Sequence, residues 1–200
     1  MPRTTRPKPA IYQMKVTLKG TRPPIWRRFQ VRNEITLGEL HNVLQVVMGW
    51  YDEHLHSFRI GQREFGVPDP EWGGDDETQD EERAVLGKVM TQAGTKLRYE
   101  YDFGDGWEHE VLLEKILPAE EEKQYPVCLA GRRRCPLEDC GGVWGWANLI
   151  GAVADPNHPD HEELSEWTME WTGGQPLDAE AFDLDAVNRA LRQPGKPDLV

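Results

Sequence analysis

Residues 97–114 alternate between apolar and polar side chains with one interruption, and this period of two constrains the chain more than any other feature. Leu97, Tyr99, Tyr101 and Phe103 fall on one face, and Arg98, Glu100 and Asp102 on the other. Successive strand residues point to opposite sides of a sheet, so the pattern predicts a half-buried strand. Gly104-Asp105-Gly106 is turn chemistry, with glycines free to take positive φ. A second alternation follows, with His109, Val111 and Leu113 set against Glu110, Leu112 and Glu114. The segment reads as a β-hairpin with Asp105, Trp107 and His109 at or near its tip. Residues 99–110 hold four aromatics, five carboxylates and a histidine, a density more suited to a site than to a fold alone.

The rest of the chain reads as strands first and helices last. Ile11–Lys19 alternates, Gly20–Pro24 is a turn, and Ile25, Arg27, Phe29 and Val31 alternate again as the partner strand. Thr36-Leu-Gly-Glu39 has the form of a capping box. Leu37, Leu40, Val43, Leu44, Val47 and Met48 then recur at helical spacing, and Gly49 is a natural stop. Leu55–Ile60 is a short strand, and Val85–Met90 a short helix. Residues 66–82 read as an acidic, solvated loop, and residues 117–143 show no period. Helices are expected over Trp144–Val153, His161–Trp171 and Asp178–Leu191. This order predicts an α+β fold: a mainly antiparallel sheet of about five strands with packed helices and a C-terminal helical cap.

Two hundred residues suit one domain, expected over 11–192, between a disordered basic arm at 1–10 and a flexible tail at 193–200. No apolar run approaches the roughly 18 residues of a membrane span, and the start lacks the apolar middle of a secretory signal. Three cysteines fit a reducing compartment better than a disulfide framework. We therefore expect a cytoplasmic protein with no membrane partner. The net charge of −12 is uneven: residues 1–34 carry nine Lys or Arg and one acid, while the remainder carries fourteen and thirty-four. Such an arm can reach a phosphate backbone, with Arg3, Arg6, Lys8, Arg28 and Arg32 as contacts, although the acidic body repels one.

Three constellations could carry chemistry. His54 and His56, two apart on a strand, share a face, and Asp102, Asp105 or His109 could complete a metal or ligand site with Trp107 beside it. The plain alternative is a structural cluster of histidines and carboxylates. Cys128, Cys135 and Cys140 with His158 or His161 make up a zinc donor set, so zinc is the candidate cofactor. Cys135 also follows Arg132-Arg-Arg134, which would favour a thiolate. Trp26, Arg28 and Arg32 form an outward aromatic and cationic face suited to nucleic acid or an acidic peptide. Nucleotide-binding loops and the hydrolase serine elbow are absent.

Taken together, Ile25-Trp-Arg-Arg28, Leu40-His41, Gly49-Trp50, His54-Leu-His56-x-Phe58, Tyr101-Asp-Phe-Gly-Asp-x-Trp-x-His109 and Cys135-Pro-x-Glu-Asp-Cys-Gly-Gly142 resemble the plasmid pRiA4b ORF-3-like family over about residues 11–192. The resemblance implies a compact α+β domain of bacteria and archaea near mobile elements, some members being labelled resolvase-like passenger proteins. The residues do not support recombination. The two serines, Ser57 and Ser165, lack a recombinase context, and His56-Ser-Phe-Arg59 lies on an expected strand. The first functional expectation is a non-enzymatic binding or accessory module for a protein or small-molecule partner. The alternatives are a nucleic-acid-associated protein using the arm and a small metal-dependent hydrolase.

Overall fold

The computed structural model describes residues 9–68 and 78–193. The strands are β1 (Ile11–Leu18), β2 (Trp26–Arg32), β3 (His56–Ile60), β4 (Arg63–Gly66), β5 (Thr78–Asp80), β6 (Lys96–Tyr101), β7 (Trp107–Leu117) and β8 (Val127–Arg132). The helices are α1 (Leu37–Met48), α2 (Leu86–Val89), α3 (Gly142–Ala154), α4 (His161–Trp171) and α5 (Leu184–Ala190), with a 3₁₀ turn at Glu81–Arg83. The strands form one sheet in the order β5-β4-β3-β6-β7-β1-β2-β8, antiparallel throughout except for β4 with β5.

The mixed α+β architecture is as expected, but the sheet has eight strands rather than about five. The additional strands are short or lie at the margins: β4 has four residues, β5 three, and β8 ends the sheet on the other side. A strand that short shows too few alternations to be read as periodic, and its pairing is supplied by a neighbour distant in the chain. The last helix is also shorter than expected, because Asp183 caps it by accepting from Ala186 N.

The central β6–β7 hairpin obeys the alternation. Leu97, Tyr99 and Tyr101 pair with Val111, His109 and Trp107, and all six are buried. The pattern breaks after Tyr101. Asp102 has φ 56°, which turns its side chain inward and leaves Phe103 exposed, the reverse of the strand reading. The capping box also forms as read: Thr36 Oγ1 accepts from Glu39 N, the Glu39 side chain accepts from Thr36 N, and Gly49 closes α1 at φ 95°. Leu37, Leu40, Leu44 and Val47 then bury their side chains in the core with the strand residues.

The arm and tail expectations fall mostly on residues 1–8 and 194–200, outside the described residues. Ala10 belongs to the fold, since its N–H donates to Asn33 Oδ1 and its carbonyl accepts from Asn33 N. The 66–82 loop is ordered at its end: Glu81 is buried beneath the sheet, while residues 69–77 lie outside the described set. Among the described residues no helix is long and apolar enough to cross a membrane.

One contact joins the hairpin tip to the helical layer. Asp105 Oδ2 accepts from Gly141 N, and Gly142 sits at φ 68° with its missing Cβ site 2.5 Å from the Asp105 carbonyl oxygen. Only glycine meets both conditions. Gly142→Ala is therefore expected to lose about 1–3 kcal/mol, read as a lower urea midpoint at unchanged slope.

Candidate functional site

Two tyrosines of β6 organise the polar groups behind the hairpin. Tyr99 Oη accepts from Gln45 Nε2 at 2.9 Å and lies 2.8 Å from His41 Nδ1. His41 Nε2 lies 2.8 Å from Asp52 Oδ1, and Asp52 N donates to Gln45 Oε1 at 3.0 Å. The donor order closes a ring: Gln45 to Tyr99, Tyr99 to His41, His41 to Asp52, Asp52 to Gln45. It assigns a neutral His41 with its proton on Nε2. Burial, and next the imidazole of His56, hold His41 below the ordinary histidine range, while Asp52 opposes them. Burial also lifts the Tyr99 hydroxyl well above the usual phenol value, so it stays a donor.

His56 stacks on His41 with ring centroids 3.5 Å apart and planes within 6°, and its Nε2 donates to Glu81 at 2.9 Å. Donor atoms of His41, Asp52 and His56 lie within 4.8 Å of one another. Stacking nonetheless makes this a poor cation centre. An imidazole lone pair lies in the ring plane, and an ion shared by parallel rings would stand roughly 1.7 Å out of each plane against a bond of roughly 2.1 Å. We read the group as a hydrogen-bonded network, buried at His41 and at the His56 side chain and open to solvent at Asp52.

His54 is placed differently. It precedes β3 and turns to a second recess, where Nδ1 faces Asp102 Oδ1 at 3.8 Å and Nε2 faces Asp139 Oδ1 at 3.4 Å. Its Nε2 is buried and makes no hydrogen bond. Donor atoms of His54, Asp102 and Asp139 all lie within 4.8 Å of one another. The His54 side chain is 27% exposed and that of Asp139 63%, so the recess opens to solvent. Asp52, Asp102 and Asp139 all have φ of 56–58°, which makes three of the four positive-φ non-glycine residues described here carboxylates that face a histidine. Aspartate tolerates that region better than most residues, and such backbone gathers at functional sites.

The structure thus separates His54 from His56, which sequence spacing had placed on one face, because His54 lies before the strand begins. Asp102 stays with His54. Asp105 is beside them, accepting from Gly141. Trp107 and His109 are not at the tip surface: both are fully buried, and His109 packs edge-on against Trp50 at 5.1 Å. The candidate site residues read from the sequence do not include His41, Asp52, Glu81 or Asp139, although His41 and Asp139 stand within the motifs shared with the family. His41 left a trace, a titratable residue in line with Leu37, Leu44 and Met48 on the buried side of α1.

Residues 10–189 match the plasmid pRiA4b ORF-3-like protein family. The chain belongs to this family. It is 40% identical over 183 residues to the uncharacterized protein y4hQ of Sinorhizobium fredii, a match covering 91% of each chain. It is also similar to the crystal structure of the protein of unknown function MM3350 from Methanosarcina mazei Go1. That match has a TM-score of 0.77 and 35% identity, covering 88% of this chain and 97% of that one.

In this family member the cysteines and their candidate histidines lie apart. The Cys128 thiol points at the Arg28 carbonyl, the His158 side chain accepts from Asp160 N, and His161 Nδ1 donates to the Ala152 carbonyl. Among the described residues no group of three or more such donors within 4.8 Å includes a cysteine. Burial pushes the Cys128 thiol up to about 11, Cys140 to about 12, and Cys135 upward too. The expected Cys135 thiolate is thereby disfavoured, and Arg133 turns to Glu180 instead. On the outer strand face Arg28 is held by both Glu114 oxygens at 2.7 and 2.8 Å, and Arg32 lies over Tyr125. Arg3, Arg6 and Lys8 lie outside the described residues.

His109 supplies a pH test. Burial lowers it to about 4, and its Nδ1–H donates to the Tyr99 carbonyl. The folded value lies below that of an unfolded histidine, so the unfolded chain takes up the proton first as pH falls. This residue's contribution is therefore full above about pH 6.5 and shrinks as pH falls toward 4, by up to about 3 kcal/mol. Urea unfolding of His109→Gln, which keeps a donor toward Tyr99, should show a shallower loss over that range than the parent chain.

Proposed function

We propose that this family member is a binding module whose ligand centre is a divalent cation held by His54, Asp102 and Asp139. The observation that carries the reading is the spacing at His54. His54 Nε2, buried and without a hydrogen bond, stands 3.4 Å from Asp139 Oδ1, near the roughly 3.4 Å that separates donors sharing an ion at roughly 2.1 Å, and a donor atom of Asp102 lies within 4.8 Å of both residues' donors. A set of one imidazole and two carboxylates suits zinc or manganese. The cysteine shell contributes nothing to this centre.

Calorimetric titration of the full chain with zinc and with manganese is expected to give one stoichiometric site. His54→Asn and Asp139→Asn should weaken it at least tenfold or so, the size seen when a ligand is lost. Asp139 is exposed, so its variant is expected to fold. Unchanged affinity in Asp139→Asn would remove the centre from consideration.

The open side of the recess favours a second reading, a small metal-dependent hydrolase in which three protein ligands leave a place for water. Hydrolysis of an activated ester that is abolished by chelator and restored by manganese would favour it. The accessory role near mobile elements belongs to the same proposal, as does a cytoplasmic location, which suits three free thiols. The nucleic-acid reading rests on the arm, since Arg28 is engaged by Glu114. If the arm binds duplex DNA, deleting residues 1–10 lowers affinity and flattens its salt dependence in a titration at two salt concentrations. Equal curves would retire the arm.

A further inference from the structure

A cavity of about 190 Å³ lies between the end of α1, residues 134–138, the end of α4 and the start of α5. Val47, Met48, Leu137, Trp171, Phe182 and Val187 supply apolar wall. Four charged side chains, Arg27, Arg134, Glu138 and Asp183, line it as well, and Asp183 is engaged by capping α5 through Ala186 N and by facing Arg189. None of them belongs to the cation centre.

Glu138 and Arg134 each have a buried polar atom without a partner. Glu138 is 2% exposed. Its Oε1 accepts from the Tyr101 hydroxyl at 2.7 Å and from Tyr51 N at 2.9 Å, while its Oε2 is buried without a hydrogen bond. The Tyr101 hydroxyl is raised by burial and then by this hydrogen bond, so it remains a donor. Arg134 Nε is likewise buried without a partner. Arg134 and Glu138 therefore do not satisfy one another. Arg27 is 3% exposed. Its guanidinium donates to the carbonyls of Val47, Trp26, Arg132 and Arg133 and stacks on Phe182, with no carboxylate beside it. A buried cation facing only neutral carbonyls, and a buried carboxylate oxygen without a donor, are both destabilising as they stand.

We propose that this cavity binds a zwitterion of the α-amino-acid class, its ammonium on Glu138, its carboxylate on Arg134 and its side chain against the apolar wall. Opposite charges in one small cavity call for a ligand with both signs. The cavity of about 190 Å³ has room for a small ligand such as a single amino acid. Trp171 and Phe182 suit an aliphatic or thioether side chain over a charged one.

The test is calorimetry of the full chain with L-leucine and L-methionine, alongside leucinamide, which lacks the carboxylate, and 4-methylpentanoate, which lacks the ammonium. Saturable binding of a free amino acid is expected, with both truncated probes about tenfold weaker or worse. Arg134→Met, at the cavity wall, should lose the same factor while keeping the parent circular dichroism. Ala186→Leu should fill the space and abolish binding without lowering thermal stability. Repeating the titration with excess chelator should change nothing, which separates this cavity from the cation centre. Absence of binding by either amino acid, or equal binding of leucinamide and 4-methylpentanoate, overturns the proposal.

Discussion

The antiparallel pairing of Tyr99 with His109 and Tyr101 with Trp107 is the constraint on which the rest of the molecule depends. It puts two phenol hydroxyls at adjacent inward positions of one central strand. Tyr99 reaches the polar side of α1 and through it Asp52. Tyr101 reaches Glu138 and the backbone of Glu53. The loop at 50–54 is thus held from two sides by one strand, and His54 is carried to the recess with it. A slip of one residue in this register would send both hydroxyls to the opposite face and dissolve both networks.

The same register divides the histidines by role. His41 and His56 stack in the interior, where closed donor and acceptor sequences satisfy them, and His109 is buried in neutral form. Buried polar networks of this kind specify one arrangement of the core because each member has few alternative partners. His54 is the histidine whose flanking carboxylates stand too far off for hydrogen bonds, and it is on the solvent side.

Much of the fold was legible because it is local. The alternation of 97–101 and 107–113, the alternation of 11–18 and the capping box at Thr36–Glu39 each rest on neighbours within a few residues. The reading failed where local pattern and tertiary demand part company. Asp102 continues the alternation in sequence but leaves it in space, because a positive φ reverses its direction. Glu81 looked like one more acid of a solvated loop, yet it is buried against His56. Val127–Arg132 carries no period, and its pairing with β2 defines it as a strand.

The sequence by itself determined the class of fold, the central hairpin and the first helix, since hydrophobic period and caps act over short range. It also marked Asp102 and His54 as residues to watch. Only the tertiary structure decided which carboxylate meets which histidine. Asp139 reaches His54 because the tip of the hairpin is clamped to Gly141 and Gly142 at the head of α3, bringing a distant loop across the sheet end. Arg27 shows the same division. It falls on the inward face of its strand by period alone, but three carbonyls from distant segments, with that of its neighbour Trp26, receive its guanidinium. Side chains of this kind answer to partners that sequence spacing does not encode, so only the assembled fold assigns them.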